Sequence, residues 1–96
     1  MKEQLEKLVK IFKKYNLYIE EKTDSDFNEY VVIIILSYDN WFTVHCNESY
    51  CYGVYKDFQP INDISDIIIV IEDLFNQNKL TPKKTWDNIL SELYTI

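Results

Sequence analysis

The chain reads as a single α+β domain over residues 1–96: a four-stranded antiparallel meander, an N-terminal helix, and two C-terminal helices packed on the sheet. Three observations predict this. Apolar residues recur at helical spacing over 3–15 and again beyond 63. β-Branched and aromatic residues dominate 29–55, interrupted by short polar pairs. A chain of 96 residues has room for one hydrophobic core.

Leu5, Leu8, Val9, Phe12 and Tyr15 fall on one helical face, with Lys7, Lys10 and Lys14 on the other, and Asn16 is a stop. Residues 17–22 alternate as a short strand, and Thr23-Asp24-Ser25-Asp26 is made of turn-formers. The run Val31 to Leu36 predicts a central strand within 29–38, covered on both faces and the most buried segment of the molecule. Asp39-Asn40 and Glu48-Ser49 stand where two-residue hairpin turns connect 29–38 to 41–47 and 41–47 to 50–55.

Those turns set a register. The first pairs Leu36 with Thr43 and Ile34 with His45; the second pairs Cys46 with Cys51 and His45 with Tyr52. One face then carries Ile33, Ile35, Phe42, Val44, Cys46, Cys51 and Tyr55 and is expected to be the core face. The other carries Val32, Ile34, Leu36, Trp41, Thr43, His45, Tyr50, Tyr52 and Val54. Pro60 is expected to end the sheet. Asp63 is placed as the N-cap of a helix to about Gln77, with Asp66 in its first turn, although Ile67 to Ile71 also suits a strand. Thr81-Pro82 opens a last helix whose apolar face is Trp86, Ile89, Leu90 and Leu93.

The composition narrows function. There is no Arg and no Ala, one Gly and two Pro, while Ile, Asn, Lys, Tyr and Phe abound, which points to an AT-rich coding source such as a low-GC bacterium, its phage or a plasmid. Nothing at the start resembles a signal peptide, the longest apolar run is too short to span a bilayer, and two cysteines do not make a disulfide framework. A cytoplasmic protein with Cys46 and Cys51 as reduced neighbours is expected, and no membrane partner.

Charge is unevenly spread. Residues 23–73 hold ten carboxylates against the single cation Lys56, within a chain of net charge −6. Asp24, Asp26, Glu29, Asp39, Glu48, Asp57, Asp63 and Asp66 fall mostly in turns or at a helix start. They serve solubility and capping on one reading, and on the other they dock a protein with a basic surface. Direct nucleic-acid binding is disfavoured, because phosphate contacts and base readout want Lys and Arg. Trp41 and Tyr52, with Tyr50, offer an aromatic surface of the kind that carries binding energy, for a partner or for a homodimer.

Catalytic chemistry has little to work with. His45 is the only histidine, and the predicted register gives it Ile34 and Tyr52 as neighbours with no orienting carboxylate. Glu20-Glu21 and Glu72-Asp73 are sequential and do not face each other. No Gly-rich loop cradles phosphate, and His45 lies across the sheet from both cysteines, which leaves no metal set. The expectation is a non-catalytic protein with no cofactor.

In order of elements, size, AT-rich composition and the acidic stretch 24–73, the chain resembles the small acidic anti-CRISPR proteins of phages and mobile elements. It departs from them in one additional strand and in a C-terminal helix (Lys83, Lys84, Trp86) that is not acidic, and it shares no sequence motif with them. The resemblance implies an inhibitor that occupies the nucleic-acid cleft of a host defence nuclease with surface carboxylates. Immunity proteins that neutralise a toxin match it equally in size and acidity, and a small homo-oligomeric structural or regulatory protein is a third reading.

Overall fold

The computed structural model describes residues 2–26, 28–56 and 59–96. Its elements run α1 (Lys2–Lys14), β1 (Ile19–Asp24), β2 (Glu29–Ser37), β3 (Asn40–Cys46), β4 (Cys51–Tyr55), β5 (Gln59–Ile61), α2 (Ile64–Asn76) and α3 (Lys83–Leu93). The strands form one antiparallel sheet in chain order, β1-β2-β3-β4-β5. The α+β class and the three helices agree with the sequence. The strand count does not: there are five strands, not four, because the chain through Pro60 pairs with β4 instead of leaving the sheet. Proline has no N–H to give a ladder, and it is tolerated here because β5 is the edge.

Local chemistry explains the ends of the helices. Asn16 takes φ 58°, and Leu17 N–H reaches back to the Phe12 carbonyl at 3.0 Å, a left-handed close to α1. Asn78 (φ 59°), with Lys79 N–H on the Leu74 carbonyl at 2.9 Å, does the same for α2. At its start, Asp63 and Asp66 form a reciprocal capping box. Residues 67–71 are therefore helix, not strand. The third helix begins at Lys83, after a cis Thr81–Pro82 bond, with Pro82 at the cap position and no side-chain cap.

The largest correction concerns β2. The β2–β3 loop is Tyr38-Asp39, with Ser37 opposite Asn40, and Leu36 is an extra residue between the Ile35–Trp41 and Ser37–Asn40 pairs. Moving the loop by one residue keeps the parity of the pairing; the bulge at Leu36 inverts it. Ile34 thus faces Phe42, and Val32 faces Val44, where the sequence paired Ile34 with His45. Val32, Ile34 and Leu36 belong to the core with Phe42, Val44, Cys46 and Tyr55, and Ile33 and Ile35 lie on the other face. β2 is an inner strand buried on one side only, with Ile35 at 37% exposure, so the expected two-sided cover is absent.

One cluster joins this inner face to Leu5, Leu8 and Phe12 of α1, Ile67 and Ile71 of α2, and Trp86 and Ile89 of α3. The Phe12 and Trp86 rings meet edge to face with centroids 5.9 Å apart, joining the first helix to the last. The smallest extent of the molecule, 20 Å, fits one helix layer on one sheet, since such layers pack about 10 Å apart. Among the described residues, none on the opposite sheet face is buried.

The hairpin of β3 and β4 carries the second correction. Cys46 and Cys51, paired across the strands, are joined in a disulfide with Cα atoms 4.1 Å apart, and are not the reduced neighbours expected. Five residues of separation and a two-residue turn bring them directly opposite, the narrow pairing that one cystine spans.

Candidate functional site

The uncovered sheet face is built by the period of two along each strand. Reading across the register, one row runs Glu20, Ile33, Thr43, Val54, Pro60, and the next Lys22, Val31, His45, Tyr52. Ile35 and Trp41 pair beyond the first row, with Tyr18 bonded to Ile35 through its carbonyl; Asp24 and Glu29 pair beyond the second. The result is an aliphatic centre of Val31, Ile33 and Val54 framed by aromatic rings. Six large apolar side chains that stand exposed, Tyr18, Ile35, Tyr38, Trp41, Tyr50 and Tyr52, lie on this face or at its rim.

One end of the face is acidic and ordered. Glu29 takes His45 Nδ1 at 2.5 Å through one oxygen and accepts from the Tyr50 hydroxyl at 3.2 Å through the other. His45 stacks flat on Tyr52, ring centroids 5.0 Å apart, and Tyr50 stacks on Tyr52 at 5.6 Å. Desolvation and the bond to Glu29 push the Tyr50 hydroxyl above its usual range. His45 therefore does have an orienting carboxylate, contrary to the sequence expectation. Glu29 lies diagonal to His45 across the β2–β3 ladder, a neighbour that the shifted register had hidden.

The adjoining turns complete this end. Asp24 Oδ1 accepts the Asp26 N–H, and Asn47 Oδ1 accepts the N–H groups of Ser49 and Tyr50. Asn28 reaches Glu48 at 3.4 Å, linking the β1–β2 and β3–β4 connections. Asp24, Asp26, Glu29 and Glu48 thus share one end of the sheet, where Glu29 is bonded to Tyr50.

The other sequence-selected residues disperse. Asp39 is exposed in the β2–β3 turn, at the opposite end of the sheet with Trp41. Asp63 and Asp66 sit at the start of α2, where Asp66 Oδ2 accepts the N–H groups of Asn62 and Asp63, and Asp63 Oδ1 accepts that of Ile64. They cap a helix, one of the two roles that their sequence positions suggest. Asp57 lies outside the described residues. A continuous acidic surface over 24–73 is therefore not what these positions form.

A groove of about 430 Å³ opens between α2 and the β4–β5 edge, lined in part by Asn40, Lys56, Asn62, Asp66, Asp73 and Lys79. Among the described residues its one buried polar side chain, Asn40, is satisfied by Ser37 (2.7 Å) and by the Tyr55 hydroxyl. Among the described residues no three His, Cys, Asp or Glu side chains converge as a metal site, and no helix is long and apolar enough to cross a membrane. No protein-family model matches the chain, and neither the curated proteins nor the solved structures contain a significant match.

Proposed function

We propose that the chain is a non-catalytic protein inhibitor from a phage or mobile element. It docks the acidic end of its open sheet face on the basic, nucleic-acid-binding surface of a host defence nuclease. The observation that supports this reading is Glu29 bonded to Tyr50 and to His45, at the end of the sheet that Asp24, Asp26 and Glu48 share, on a face with no cover among the described residues. Carboxylates steer toward a basic cleft, and the aromatic rings supply contact area at low entropy cost. The absence of arginine and the net charge of −6 fit a mimic of nucleic acid better than a binder of it.

The test is inhibition of DNA cleavage by purified CRISPR nucleases of low-GC bacteria, with the chain added before the target. Stoichiometric inhibition that weakens as salt rises is expected. Reversal of Asp24, Asp26, Glu29 and Glu48 to Lys should abolish it, while reversal of Asp39 should not. Inhibition unaffected by those reversals but lost in Trp41→Ala and Tyr52→Ala would remove the mimicry and leave a protein-binding aromatic face, as an immunity protein would use. Cytoplasmic action belongs to this proposal. It requires that the Cys46–Cys51 bond form and persist against cellular reductants, or that the fold stand without it.

A further inference from the structure

From the register of the open face we infer that a second copy of the chain covers it when no partner is bound, so that docking competes with a reversible homodimer. The inference rests on the open face being the working surface, and it names how that surface is regulated. Val31, Ile33 and Val54, with Tyr18, Trp41 and Tyr52 around them, leave a flat β-branched patch at a sheet centre, the anatomy of an interface with an apolar middle.

The sheet edges do not offer the alternative. β1 presents Glu20, Glu21, Lys22 and Asp24, and β5 is three residues long and contains Pro60. Charged and proline-bearing edges resist strand addition, so association goes through the face.

One pair of charges on the face is self-complementary. Glu20 and Lys22 stand two residues apart on β1, both on the open side, in the two central rows. A two-fold axis lying across the strands, between the Ile33 row and the Val31 row, sets Glu20 of one copy against Lys22 of the second, and Lys22 against Glu20. The same rotation lays Ile33 over Val31 and Val54 over Tyr52. Every contact is made twice, as an isologous interface requires. Two sheets packed this way cross at about 30°, an offset that glutamate and lysine side chains can span. The alternative two-fold, parallel to the strands, places Glu20 against the Pro60 side and His45 on His45, and it gains no ion pair.

Strands spaced ~4.8 Å apart and residues rising ~3.4 Å give a face of roughly 20 Å by 20 Å, so the dimer buries about 800–1,000 Å² in total. That is the low end of specific interfaces. It suits an association that a partner can displace.

Sedimentation equilibrium of the full chain without any partner tests this. A concentration-dependent monomer–dimer equilibrium is expected, with Glu20→Lys and Lys22→Glu each weakening it about tenfold or more. The double exchange, which restores opposite charges across the axis, should return the dissociation constant to within about threefold of the parent. Circular dichroism of each variant confirms that the fold is kept. A chain that stays monomeric to about 1 mM overturns the inference, and so does a dimer indifferent to the two single reversals or not rescued by the double exchange. Nuclease inhibition by a strictly monomeric chain would sink the dimer alone. A rescued dimer with no inhibition would sink the partner reading alone.

Discussion

At the scale of single residues, the one glycine shows how closely the sheet packs on its own layers. Gly53 lies in β4 between Val44 and Ile61, and a Cβ there would stand 3.1 Å from Val44 Cγ2, 3.2 Å from the Thr43 carbonyl oxygen and 3.3 Å from Ile61 Cβ. Glycine in a strand costs about 0.5–1 kcal/mol in conformational entropy, so removing it would stabilise an open position. Here crowding wins, because a backbone oxygen and the Ile61 β-carbon cannot swing aside, and the Val44 methyl closes the third side. Gly53→Ala should lower stability by about 1–3 kcal/mol, read from the urea midpoint at unchanged slope. The aspartates make the complementary point. Asp63 and Asp24 look alike in the sequence, yet the first is committed to the α2 cap and the second belongs to the acidic end of the open face. Composition counted them together; only their placement on a helix start or a strand end separates them.

Among the elements, the β3–β4 hairpin joins stability to the candidate site. The Cys46–Cys51 bond ties the strands one position from His45 and Tyr52, on the opposite face of the same hairpin. It closes a short loop, so reduction should cost about 2 kcal/mol by the chain-entropy account. The check is twofold: no thiol titrates in the denatured protein before reduction and two after it, and the denaturation midpoint falls on reduction. Two free thiols before reduction would restore the sequence expectation. The sequence also shows why some elements were legible and others were not. The helices announce themselves by apolar spacing and by Asp63 and Asp66, and the β3–β4 register follows from a turn flanked by Asn47 and Tyr50. The bulge at Leu36 leaves no compositional trace, since one more aliphatic residue in Val31 to Leu36 looks like the rest of the run. A register drawn without the bulge exchanges the two faces of β2 and separates Glu29 from His45. Three residues around a proline carry too little pattern to read as a strand, so β5 is not legible in the sequence.

For the molecule as a whole, ion pairs tie the first helix to distant parts of the chain. Lys13 and Tyr30 hold the Glu21 carboxyl below its ordinary range, the lysine being the larger cause. Tyr15, and then Lys14, do the same for Glu92 at the end of α3. A carboxylate depressed in the folded state contributes stability above its ordinary pKa of 4.5 and loses it as pH falls through the folded value. Stability should therefore decline below about pH 4.5, and the variant Glu21→Gln with Glu92→Gln should show a flatter acid limb in thermal melts at stepped pH. An unchanged limb would assign the loss to other carboxylates. Both pairs are on the helix side or its margin, away from the candidate site. That separation follows from a sheet covered on one side only, and it has a consequence for how the chain can change over generations. Along β2 and β3, core positions and open-face positions alternate, so each outward residue can be exchanged while its inward neighbours keep the fold. An inhibitor of the kind proposed could then rewrite its docking surface one codon at a time, with no need to repack its interior.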